Sequence, residues 1–160
     1  MKNKIEVSSE VAYLPNQSNI PGSQYAFAYT ITITNHGETG AQLRTRHWLI
    51  QDETGEVEEV VGEGVVGQQP YLSPGESFEY SSGAIISTET GSMKGSYGMI
   101  NDQGQRFDAV IPEFSLSEPY TLHKNHPWTT SLVMFRVAIT HLNNYSKKLT
   151  LMKTEINYFF

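Results

Sequence analysis

The 160-residue sequence predicts an all-β fold, an immunoglobulin or fibronectin type III-like β-sandwich of seven to eight strands, followed by an extension of different character. Three observations carry that expectation. Apolar and polar residues alternate with period two through most of residues 1–123. Clusters of Gly, Pro, Asn and Asp punctuate the alternation, and helix-period patterns are nearly absent before residue 124.

The elements follow in order. Ile5, Val7 and Val11 predict a first strand, with Ser9 interrupting its apolar face. Tyr25 to Thr34 is the clearest strand, because Tyr25, Phe27, Tyr29, Ile31 and Ile33 share one face and are β-branched or aromatic. Asn35-His36-Gly37 supplies a turn, since Asn and Gly tolerate positive φ. From Leu43 to Gln51, alternation places Leu43, Thr45, His47 and Leu49 opposite Arg44, Arg46, Trp48 and Ile50. Asp52 to Gly55 turns the chain into a strand over Glu56 to Val61. After Ser73-Pro74-Gly75, Phe78, Tyr80 and Ser82 alternate with Glu79 and Ser81. Met93, Gly95, Tyr97 and Met99 predict a further strand, ended by Asn101 to Gly104. Phe107, Ala109 and Ile111 come next, Pro112 is expected to break the run, and Phe114 and Leu116 finish the body.

Composition excludes several function classes. With no cysteine, a disulfide scaffold, a thiol nucleophile, cysteine-ligated zinc and iron–sulfur clusters are ruled out. No run approaches the ~18 apolar residues that span a bilayer, and the N-terminus lacks a signal-peptide h-region, so a cytoplasmic protein without a membrane partner is expected. The net charge of −6 divides unevenly: residues 1–123 carry 6 basic against 16 acidic side chains, a net of −10, and residues 124–160 carry 5 against 1, a net of +4. An acidic body of this kind repels phosphate backbones, and no nucleic-acid partner is expected.

Residues 124–160 contain the eight-residue run Leu132 to Ile139 and the apolar stretch Leu149 to Phe160, neither with helical periodicity. They are expected to form a disordered or weakly docked extension to a 1–123 domain, with proteolytic cleavage near His123 to Thr130.

The strings Arg46-His47-Trp48-Leu49-Ile50, Gly62 to Pro70, and Pro74 to Gly83 resemble the ApaG family, also called CorD. Gly91-Ser92-Met93-Lys94-Gly95-Ser96-Tyr97-Gly98-Met99 and Ile111-Pro112-Glu113-Phe114 continue the likeness, which runs from about Ile5 to His123. The resemblance implies a fibronectin type III-like sandwich and a genetic link to cobalt tolerance and magnesium efflux. Related domains in eukaryotic F-box proteins and in a DNA-polymerase-delta-interacting protein imply protein binding. No enzymatic activity and no catalytic residues come with the family. Its members end near His123, so residues 124–160 depart from the pattern.

Gly62-Glu63-Gly64-Val65-Val66-Gly67 matches the dinucleotide fingerprint as a string, but Pro70 and Pro74 obstruct the helix that the fingerprint requires. What survives is a phosphate-binding candidate at Gly62, Glu63, Gly64 and Gly67, set against a glycine-rich connection between sheets. Arg44, Arg46 and Trp48, taken as one strand face, form a partner-binding candidate, although Trp48 also fits a core position. The acidic run Glu53, Glu56, Glu58, Glu59 and Glu63 lacks calcium-loop spacing, and His123 and His126 lack a third ligand. No nucleophile motif frames any serine, so no catalytic residue, metal site or cofactor is expected. The leading expectation is a non-catalytic binding or adaptor domain with a protein partner; the alternative is a phosphate- or nucleotide-recognising protein using Gly62 to Gly67.

Overall fold

Period-two alternation resolves into two antiparallel sheets in the computed structural model, which describes residues 3–118. The strands are β1 (Ile5–Tyr13), β2 (Tyr25–Asn35), β3 (Ala41–Asp52), β4 (Val57–Glu63), β5 (Tyr71–Leu72), β6 (Ser77–Ile86), β7 (Gly91–Asn101) and β8 (Arg106–Leu116). One sheet has the order β1-β2-β6; the other runs β4-β3-β7-β8, with β5 paired to the beginning of β3. This is the expected sandwich, two sheets whose inner faces supply one core.

Alternation explains which residues meet. Along β2, Phe27, Tyr29, Ile31 and Ile33 are buried, and they face Met93, Tyr97 and Met99 of β7 and Ile111 of β8 across the core. One end of the sandwich, where β2 turns into β3, is closed by two buried asparagines. Asn35 donates through Nδ2 to the carbonyls of Thr39 (2.9 Å) and Leu72 (3.0 Å) and accepts from the Gly37 amide (2.8 Å). Asn101 accepts from the amides of Gln103 and Gln105, each at 3.0 Å. Both asparagines replace backbone partners that a turn cannot supply, which is why they are tolerated inside.

Several boundaries differ from the alternation reading. Pro112 does not end a strand, for β8 continues through it. The register of β7 with β8 shifts between Met93 and Gly95, so two β8 residues, Pro112 and Glu113, oppose one β7 residue. At a bulge on an edge strand the missing proline N–H breaks no ladder bond. The strand expected over Glu56 to Val61 starts at Val57 and reaches Glu63, taking Gly62 inside it. The Gly62–Gly67 segment links β4 to β5 within one sheet, not one sheet to the other. Residues 14–24, without pattern in the sequence, hold two single-turn 3₁₀ helices, Pro15–Gln17 and Ile20–Gly22. The expectations for 119–123 and for the extension 124–160 lie outside the described residues.

Candidate functional site

The third strand decides the fate of the first candidate patch. The register of β3 against β7 shifts between Leu43 and Thr45, so Leu43 and Trp48 both face the core although simple alternation opposes them. Trp48 is 3% exposed and is boxed by Tyr29 (centroids 5.6 Å apart), Tyr97 (6.2 Å, edge-on) and Phe114 (5.9 Å, edge-on). Arg44 is exposed, with Nη1 on the Gln42 Oε1 at 3.2 Å. Arg46 pairs with Gly62 of β4 and Tyr97 of β7, and the latter is fully buried, so Arg46 lies on the inner side of the sheet. Arg44, Arg46 and Trp48 therefore do not share one exposed face. The apolar indole gains more from the aromatic core than from solvent, and the bulge delivers it there.

The glycine string is brought together with Arg46. Nη1 of Arg46 donates to the carbonyl oxygens of Glu63 (2.8 Å) and Gly64 (2.9 Å). Its guanidinium lies against Gly62, where a Cβ would stand 2.9 Å from Cζ and Nη2. Glycine at this position admits the close approach of a cation. Past it, Gly64 (φ 61°), Val66 (φ 45°) and Gly67 (φ 73°) build a tight turn in which Val65 and Gln68 exchange backbone hydrogen bonds of 2.8 and 2.9 Å. Positive φ at Val66 is rare for a β-branched residue; here its side chain packs against the core. The amides of Gly64, Val65 and Gln68 all donate to backbone carbonyls, so these members of the loop have no N–H to offer an anion. Gly62 and Glu63 end β4, and Gly64 and Gly67 belong to the turn that follows.

Polar groups on the inner side are tied together. The hydroxyls of Tyr80 and Tyr97 are 2.5 Å apart, and Tyr29 bonds to Ser82. Burial raises the pKa of all three tyrosines above the usual phenol value, while the nearby Arg46 charge works in the opposite sense.

Strand β4 carries the feature that sequence reasoning missed. Its register with β3 keeps a constant parity, and bonded pairs flank it, Gly64 N to Arg44 O at 2.8 Å and Asp52 N to Glu56 O at 3.0 Å. Glu58, Val60 and Gly62 therefore turn their N–H groups toward β3, whereas Val57, Glu59, Val61 and Glu63 turn theirs away. Among the described residues no strand pairs with that outward edge. The same four residues place their side chains on the outer sheet face, where Val61 is 70% exposed and Val57 is exposed as well. Glu59 accepts a 2.6 Å contact from His47 Nε2. Glu53, Glu56, Glu58 and Glu63 add carboxylates along the strand and its preceding turn. The signal was in the sequence: Val-Glu-Glu-Val-Val-Gly-Glu alternates on neither period cleanly, as an edge with two wet faces does. Among the described residues, no group of three or more His, Asp or Glu side chains is placed to hold a metal ion. None of their helices is long and apolar enough to cross a membrane.

Comparison with known proteins follows the same span. Residues 15–101 match the ApaG domain family. The chain is 55% identical over 122 residues to Protein ApaG of Nitrosospira multiformis, covering 76% of this chain and 96% of that protein. It is 53% identical over 122 residues to Protein ApaG of Thiobacillus denitrificans, with the same 76% and 96% coverage. A crystal structure described as the ApaA protein from Bordetella pertussis superposes with a TM-score of 0.73 at 47% identity, covering 75% of this chain and 98% of that one. With a sandwich of the same architecture and matches spanning nearly the full length of these relatives, the chain belongs to the ApaG family.

Proposed function

We propose that this ApaG-family chain is a non-catalytic binding domain, and that β4 is the surface that receives its protein partner by strand addition. The observation that carries this reading is the open edge: Val57, Glu59, Val61 and Glu63 direct backbone groups away from β3 with no strand beyond them among the described residues. An added strand gains main-chain hydrogen bonds from the edge and specificity from alternate side chains. Opposite Val57 and Val61 it meets apolar surface, and opposite Glu59 and Glu63 it meets carboxylate. The fitting segment is extended and β-branched, with Lys or Arg at every fourth residue.

The phosphate reading of Gly62 to Gly67 is second to it, because the amides of Gly64 and Val65 are already spent on carbonyls. Cytoplasmic placement agrees with the absence of cysteine. The family's association with cobalt tolerance and magnesium efflux is read as an effect passed through the bound protein. A synthetic peptide alternating Val with Lys and Ser in that register tests the reading. Saturable binding that weakens when its lysines are replaced by glutamate supports it; equal binding of both peptides rejects it.

A further inference from the structure

We infer that Arg46 is a carboxylate-binding residue at the end of the β4 edge, using the Nε and Nη2 side of its guanidinium. The inference stands whether or not a strand adds to β4. Arg46 is half-buried, and its hydrogen bonds to the described residues go to the Glu63 and Gly64 carbonyls through Nη1. The ion pairs His36 with Glu6 and His47 with Glu59 do not involve it, so a cation on the inner side of an acidic domain has no carboxylate of the described residues against it. Every fully buried side-chain nitrogen or oxygen among the described residues has a hydrogen-bond partner. Nε and Nη2 make no such bond with the described residues, and neither is a buried atom left without a partner.

The arrangement holds the guanidinium rigidly while leaving one side of its fork free. Two carbonyls anchor Nη1, and Gly62 beneath the plane admits the group where a Cβ would meet Cζ, Nη1 and Nη2 at 2.9 to 3.0 Å. A preorganised fork of two parallel N–H donors matches the two oxygens of one carboxylate. A phosphate fits less well: its further oxygens need donors, and the amides of Gly64, Val65 and Gln68 are occupied. Its second negative charge also meets Glu58, Glu59 and Glu63 on the same strand. The ligand is thus a singly charged carboxylate, from a polypeptide C-terminus or from an Asp or Glu side chain.

The test is a titration of the isotopically labelled full chain, followed at the Arg46 Nε–H resonance and the Gly62 to Gly64 amides at constant ionic strength. The probes are acetate, a peptide ending in a free carboxylate, the same peptide amidated, an amidated peptide bearing one internal Glu, and inorganic phosphate. The expected result is a saturable shift with carboxylates and none with an amidated peptide lacking Glu. The free-terminus and internal-Glu arms distinguish the two sources. Arg46→Lys keeps the charge without the fork, and Gly62→Ala displaces the fork without changing charge; each should weaken binding by roughly tenfold or more. Thermal melting establishes that both variants are folded. The proposal is overturned by an unmoved Arg46 Nε–H, by phosphate binding more tightly than acetate, or by folded variants that bind as the parent does.

Discussion

Trp48 shows at the scale of one residue how packing decides between two readings of a side chain. Alternation places it beside Arg44 and Arg46, but its ring contacts with Tyr29, Tyr97 and Phe114 fill the core. Trp48→Ala should destabilise the fold by about 3–5 kcal/mol in urea unfolding, through the cavity it leaves. Arg44→Glu, at an exposed position, should change stability by no more than ~0.5 kcal/mol. Asn35→Ala strands the Thr39 and Leu72 carbonyls and the Gly37 amide, and should cost about 1–3 kcal/mol by the same measurement. The burial of Trp48 was legible in its residue type. Its separation from Arg44 was not, because the bulge between Leu43 and Thr45 is a property of backbone pairing with no side-chain signature. The partnership of Arg46 with Gly62 was equally hidden, since it joins residues 16 positions apart through a register that only the sheet defines.

Element by element, the strongly alternating strands were legible and the wet ones were not. β2 and β7 bury one face, so their apolar residues announce the period. β4 buries little, and its edge role emerges only from pairing. The parity of that pairing gives a sharp prediction. Val61→Pro removes an N–H that faces away from β3, so the domain should stay folded while strand addition weakens by up to about tenfold. Val60→Pro removes an N–H that serves β3 and should cost ~3 kcal/mol or more of stability. Thermal melts and peptide titration of the pair read both effects. The turn before β4 is held by Asp52, whose carboxylate accepts from Thr54 Oγ1 (2.7 Å), Ser87 Oγ (2.7 Å) and the amides of Thr54 (2.9 Å) and Glu56 (3.0 Å). Bonds from Thr54 first, then Ser87, favour its ionised form and lower its pKa from the ordinary carboxylate value. Stability from Asp52 is therefore present above the ordinary carboxylate value and is lost as pH falls through the lower folded value. Asp52→Asn should flatten the acid limb of the stability profile.

For the whole molecule, the sandwich class was readable from patterning and turn residues because both sheets obey one constraint, a shared core. Which edges remain open was not readable, for topology and not composition determines it. The buried tyrosines set the alkaline limit. Burial raises Tyr29, Tyr80 and Tyr97 above their unfolded value near 10.0, so the stability they confer is complete below that pH and is lost as pH rises beyond it. Absorbance titration should show these phenols ionising together with unfolding. The net charge of −10 over residues 1–123 predicts that association with a basic segment weakens as salt is added. The central claim, addition of an extended basic strand to β4, is tested most directly by amide hydrogen exchange of the full chain with and without the alternating Val/Lys peptide. New protection should appear at Val57, Glu59 and Val61, with the amides of Glu58 and Val60 little changed because they already serve β3. Peptide binding without that alternating protection, or with protection on β6 instead, would contradict the account.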